Sequence, residues 1–376
     1  MDLLIYSVIF ALVIYSLAIS TRKTDFQLSC EGFTLKPCKY NIFIYFSLGC
    51  YILLRTFAYN TGADYLAYFG HYMDRANDYI NPWGEQREVG YRILIDALSS
   101  VIKSPNAFFF ICSALGLGTV VKLALKYGKA APYIVLGWIL FLFNLSMNLY
   151  RQYIAMAIML IGYLFLLSNK SRKHLIIASL CGIWAFLFHH SSAVGIVMMV
   201  IIYLLRNKQI NKWWLIFGIC ITTVSSMTIL KGLIESFGSY SDMYMEMNDR
   251  SYMASDMYDS MYDPSKVTYV NMLCSIIIVW YGDKVMRTNS HLRFLYYTLA
   301  FSLLVEPLMR QEILMRMRLY LVNFAFIGYG LIVYFSISKF CIKKLFPLLV
   351  VVSFHIAYMY VYQNLQLFVD FPLIFK

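Results

Sequence analysis

Apolar runs of membrane length alternate with short polar breaks along almost the whole chain. The pattern predicts twelve spans, at about 2–19, 41–57, 106–126, 131–149, 151–168, 174–188, 190–205, 213–230, 267–284, 292–308, 313–337 and 345–362. Most approach the roughly 20 residues that a helix needs to cross a bilayer core. Lipid offers the backbone no hydrogen-bond partner, so helices are the spanning element at these run lengths. The predicted fold class is an all-α polytopic membrane protein with about 12 transmembrane helices, forming one integral membrane domain over 1–376. Two breaks are long: 58–105, an outer loop followed by an interfacial helix, and 231–266, an outer acidic loop or lid.

Composition sharpens this picture. Hydrophobic residues make up 60% of the 376 positions, charged residues only 14%, and mean hydropathy is +0.63. A soluble domain carries about 25% charged residues. The net charge of +12 is an orientation signal. With the first residue outside, the six inner loops collect 19 of the 32 cations and only Asp25, Glu31 and Asp283 among the acids. The positive-inside rule then predicts both termini on the outer side. The charge gives no support to nucleic-acid binding, because its pattern follows topology. The eight cysteines show no CxxC or Cys/His spacing, so neither a disulfide framework nor structural zinc is expected. No HExxH, GxSxG or GxxxxGK[ST] motif occurs.

The polar chemistry collects on the outer side. In the first long break, Arg92, Asp96, Ser99, Ser100 and Lys103 share one helical face, with Ile93, Leu94, Ala97, Leu98, Val101 and Ile102 on the other. That is the pattern of an interfacial helix. The break at 231–266 interleaves seven acids with five tyrosines and six methionines. It reads as an amphipathic lid suited to sugar rings, or as a solvated loop resting on the membrane.

"FLFHHSSAVG", residues 187–196, places His189 and His190 at the tip of a helical hairpin. Its arms span about 33 residues, or roughly 50 Å of helix, whereas two straight crossings need about 60 Å. The tip is therefore expected to be recessed and to line an outward-facing cavity, although adjacent histidines also serve as interfacial anchors. Arg151 lies in "NLYRQYIAMA" with apolar sequence on both sides. Arg316 and Arg318 lie in "MRQEILMRMRLY", two positions apart and so about 200° apart on a helix. Guanidinium groups at such a cavity suit a diphosphate presented from the lipid phase, without a metal. The candidates for diphosphate binding are Arg151, Arg316 and Arg318. His189, His190, Asp64 and Glu88 are the candidates for proton transfer.

Four segments in order carry a family resemblance: "TGADYLAYF" at 61–69, "REVGYRIL" at 87–94, "NLYRQYIAMAI" at 148–158 and "FLFHHSSAVG" at 187–196. Together they resemble the EpsG-like, Wzy-type polymerases of bacterial surface polysaccharides, including O-antigen polymerases. A later Arg followed closely by Tyr, here Arg316 or Arg318 with Tyr320, extends the likeness. The resemblance implies a GT-C-like, metal-independent, inverting glycosyltransferase without a cofactor. It would join oligosaccharide repeat units carried on undecaprenyl pyrophosphate, at the outer side of the bacterial cytoplasmic (inner) membrane. Such pathways also imply a separate chain-length regulator as partner. Two competing readings are an O-antigen ligase or other lipid-linked-sugar transferase, and a lipid-linked oligosaccharide flippase.

Overall fold

The computed structural model describes residues 2–22, 41–58, 64–80, 84, 87–143, 146, 149–168, 172–225, 266–287, 289–308 and 312–339. The described residues form α-helices and short 3-10 turns, with no strand among them. The helices are α1 (Asp2–Thr21), α2 (Ile42–Phe57), α3 (Tyr65–Ala76), α4 (Val89–Val101), α5 (Asn106–Leu125) and α6 (Ala131–Leu142). They continue with α7 (Tyr150–Ser168), α8 (Arg172–Phe188), α9 (Ser192–Leu205) and α10 (Lys212–Ser225). The last three are α11 (Lys266–Met286), α12 (Ser290–Val305) and α13 (Glu312–Lys339).

Eleven of the twelve predicted runs start within two residues of a helix. The run at 345–362 and the acidic segment 231–266 lie outside the described residues, apart from Lys266 at the start of α11. By length and composition, α5 and the stretch Arg318–Ser338 of α13 are each able to cross a bilayer, and α2, α7, α9 and α10 contain shorter apolar stretches. Helix starts follow from local chemistry. Asn41 caps α2 by accepting from the Phe43 amide, Asn211 caps α10 through Trp213, and Asn289 caps α12 through His291 at 2.7 Å.

The inside of the bundle is aromatic and its outside is aliphatic and aromatic too. Trp138, Tyr51, Tyr91, Tyr150, Tyr320 and Phe108 are fully buried. Phe43, Phe46 and Leu53 on α2, Ile176, Ile183 and Trp184 on α8, and Trp214, Phe217 and Val224 on α10 are exposed. So much exposed apolar surface is the exterior of a protein solvated by lipid. Helix α13 is the central element, packed on α6, α9 and α12. Small residues let it approach α6: a Cβ on Gly330 would lie 2.5 Å from the Ile134 Cα, and one on Gly137 would lie 2.9 Å from the Phe326 carbonyl oxygen. A buried hydrogen bond from Asn323 Nδ2 to the Met156 carbonyl, 2.9 Å, ties α13 to α7.

Helices α3 and α4, of 12 and 13 residues, are too short to cross a bilayer. They form a pair that runs in the same direction, laid against the bundle. Tyr72 donates to the Ile102 carbonyl at 2.7 Å, Lys103 Nζ to the Ala76 carbonyl at 2.7 Å, and Arg75 pairs with Asp96 at 3.2 Å. Helix α3 corrects the expectation of a simple loop ahead of the interfacial helix: Tyr65, Tyr68, Tyr72 and Ala76, spaced three or four apart, are buried on one face. In α4, Tyr91, Ile95 and Ser99 face the protein, while Ile93 and Val101 are exposed.

Candidate functional site

The site is built where α4, α7 and α8 come together. Glu88 occupies the N-cap position of α4 in an extended conformation. The amide-rich start of a helix favours a carboxylate there. Arg151 is the second residue of α7, and His189 follows the last residue of α8. Their side chains are 9%, 12% and 13% exposed. Gly90 permits this meeting, because a Cβ there would lie 2.9 Å from the backbone C and O of Leu187, just ahead of His189.

Glu88 bridges the other two groups. Its Oε2 accepts from Arg151 Nη1, and its Oε1 lies 2.7 Å from His189 Nδ1. Burial opposes ionisation of the Glu88 carboxyl. The His189 hydrogen bond and the Arg151 charge outweigh burial and lower its pKa from 4.5 to about 2. An ionised Glu88 only accepts, so it places a proton on His189 Nδ1. In the neutral imidazole the lone pair then belongs to Nε2. A carboxylate orienting histidine in this way is the arrangement of a general base.

Arg151 is held on three sides. Its Nε donates to the Tyr68 hydroxyl at 3.0 Å, Nη1 donates to Glu88, and the guanidinium carbon lies 5.9 Å from the centre of the Tyr91 ring. Burial raises the Tyr68 phenol above its ordinary value, Arg151 lowers it, and the charge of Asp64 at the start of α3 raises it. Next to the histidines, Ser191 Oγ donates to the Tyr320 hydroxyl at 3.4 Å. Tyr320 packs on Gly195, where a Cβ would lie 2.5 Å from the Tyr320 Cβ.

Of the sequence candidates, Glu88, Arg151 and His189 converge. Asp64 stands one turn from Tyr68 and reaches the cluster through the field it exerts there. His190 points elsewhere: it is exposed, with its ring 5.1 Å from that of Phe186. Arg318 belongs to a second buried cluster. Its Nη2 lies 3.6 Å from Glu306 Oε2, and Asn271 Nδ2 donates to Glu306 Oε1 at 2.7 Å. Tyr320, two residues on, faces Ser191, so α13 presents a polar residue to each cluster. The Arg316 side chain lies outside the described residues.

Tyr68, Tyr91, Ser191 and Tyr320 join the site although the sequence reading did not select them as site residues. The three- and four-residue spacing of Tyr65, Tyr68 and Tyr72 was the available signal for Tyr68. Among the described residues, no group of three or more His, Cys, Asp or Glu side chains converges to hold a metal ion.

Neither a curated protein nor a solved structure shows a significant match. The profile of the EpsG family matches residues 41–370, most of the chain. That stretch contains Glu88, Arg151, His189 and Tyr320. The family, whose members are Wzy-type polymerases, brings membrane localisation and a glycosyltransferase-type or polymerase role. The chain belongs to the EpsG family.

Proposed function

We propose that this protein polymerises oligosaccharide repeat units carried on undecaprenyl pyrophosphate into a surface polysaccharide, O-antigen or a related polymer. The reaction takes place at the outer side of the bacterial cytoplasmic membrane, with both termini on that side. The observation that carries this reading is the convergence of Arg151, an anion-binding group, with a carboxylate-oriented histidine at one largely buried site.

In this mechanism the acceptor hydroxyl oxygen attacks the anomeric carbon of the donor sugar from the face opposite the diphosphate. His189 Nε2 takes the hydroxyl proton as the new C–O bond forms. The bond from the anomeric carbon to the diphosphate oxygen breaks, its electron pair leaves with undecaprenyl pyrophosphate, and the configuration inverts. Arg151 stabilises the growing charge on the diphosphate; its five N–H donors let it hold Glu88, Tyr68 and a phosphate together. Glu88 keeps His189 in the required tautomer. Arg316 supplies a second guanidinium, since position 316 lies four residues before Tyr320 on the same face of α13. Arg318, turned to Glu306 about 200° from position 316, is left to the second cluster. The segment 231–266 acts as the lid over the sugar chains. A separate chain-length regulator sets polymer size, and no cofactor or metal takes part.

The test is the surface polysaccharide ladder of a deletion strain complemented with wild type or Arg151→Ala. Collapse of the ladder to a single repeat unit, with normal protein level, supports polymerisation. An intact ladder refutes the role of Arg151. Loss of all surface glycan, single units included, points to ligation or export instead.

A further inference from the structure

We infer that His71 is a positioning residue for Arg151, acting through the Tyr91 phenol. This deepens the reading above and rests on Arg151 as the diphosphate contact. His71 Nδ1 lies 3.0 Å from the Tyr91 hydroxyl, and both residues are buried, His71 at 1% exposure. The Tyr91 ring in turn carries the Arg151 guanidinium 5.9 Å from its centre. Tyr91 also meets Tyr68 edge to face, at 5.5 Å and 85°, and Tyr68 is the phenol that accepts from Arg151 Nε.

The two short helices explain the design. On α4, Glu88 and Tyr91 are three residues apart, so one face presents both a carboxylate and a ring to the same guanidinium. On α3, Tyr68 and His71 are three apart: the first touches Arg151 directly, the second through Tyr91. Gly84, between the helices, closes over His71, and a Cβ there would overlap the Nε2 edge of the imidazole ring. The imidazole is therefore held from behind while Nδ1 meets the phenol. A buried hydroxyl needs a partner, and a Leu–Phe pair would fill these positions without any polar group. The His71–Tyr91 bond fixes the ring's tilt. When the phenol donates to Nδ1, the ring becomes richer in electrons and attracts the guanidinium more strongly.

The experiment uses full-length protein in native membranes, with lipid-linked repeat units extracted from a polymerase-deletion strain as the probe. His71→Leu and Tyr91→Phe are each expected to raise the apparent KM for that lipid by roughly threefold to thirtyfold, with kcat within about twofold. The double variant should be no worse than either single one, because both remove one interaction. His71→Asn, which offers a polar atom near the Nδ1 position, should restore most of the affinity. The inference is overturned if Tyr91→Phe behaves as wild type, if the two effects multiply, or if His71→Leu lowers kcat and thermal stability with KM unchanged. A silent Arg151→Ala overturns the underlying reading itself. A dead Arg151→Ala beside a wild-type Tyr91→Phe removes only the role of His71.

Discussion

Glu88 and His189, 101 positions apart in the chain, meet at 2.7 Å where the start of α4 touches the end of α8. The same carboxylate holds Arg151, so one acid joins an anion-binding group to a proton acceptor. This relationship separates the two adjacent histidines. His189 is turned into the site, whereas His190 is exposed and rests near Phe186. His189→Ala is therefore expected to reduce the polysaccharide ladder to a single unit, a loss of at least about 100-fold for a general base. His190→Ala should leave a ladder close to wild type. A reversed pattern on the gel would remove His189 from the mechanism.

Arginine at position 151 is expected to resist replacement even by lysine. Nε and Nη1 serve Tyr68 and Glu88 from one planar fork, which a single ammonium cannot reproduce. Arg151→Lys should lose most polymer, and Arg151→Ala should also cost about 3–5 kcal/mol of stability by stranding a buried carboxylate. Thermal unfolding in detergent, beside the ladder assay, checks both parts.

The depressed Glu88 pKa fixes the direction of a pH effect. Its folded value of about 2 lies below the ordinary 4.5. The unfolded state therefore binds the proton more readily, and the ionised carboxylate stabilises the fold fully above pH 4.5. That contribution falls away as pH drops from 4.5 toward 2. Wild type should exceed Glu88→Gln in unfolding temperature at pH 7, and the gap should narrow at pH 4 and narrow further at pH 3. A gap independent of pH would mean that the Glu88 charge contributes nothing to stability.

The order of the helices was legible because polar breaks separate the apolar runs, and some helices start at a capping residue, as at Asn41 and Asn289. Arg151 and His189 were legible as titratable groups beside membrane-length apolar sequence, and Glu88 as an acid on the outer side within the segment 87–94. Their direct contact was not, since it depends on packing over 63 and 101 positions. Helix α3 was hidden because its buried face is made of tyrosines, which also suit a solvated loop. The partner of Arg318 was hidden for another reason. Glu306 and Asn271 come from two other elements, and only the tertiary fold brings them to it.

The Arg318 cluster predicts a stability effect that its partner shares. Glu306→Ala is expected to destabilise the protein by about 3–5 kcal/mol, because it leaves a buried guanidinium without its carboxylate. Glu306→Leu combined with Arg318→Met should recover much of the loss. Thermal unfolding of the single and double variants measures the coupling, and simple additivity would mean that the pair does not act as a unit.

Gly90 tests whether the approach of α4 to α8 holds the site together. A methyl group at this position would meet the carbonyl carbon and oxygen of Leu187 at 2.9 Å. Those are backbone atoms of a packed helix and cannot turn aside as a flexible side chain would. The strain must move α4 away from α8, and that motion lengthens the Glu88–His189 hydrogen bond. Gly90→Ala is expected to destabilise the fold by about 1–3 kcal/mol, the usual range for overpacking. It should also lower polymer formation further than reduced protein level explains, because a hydrogen bond weakens steeply as it lengthens and bends. Gly70→Ala is the control: a Cβ there meets nothing within 4 Å. Equal ladders for the two variants at equal protein level would show that close packing at Gly90 does not position Glu88 against His189.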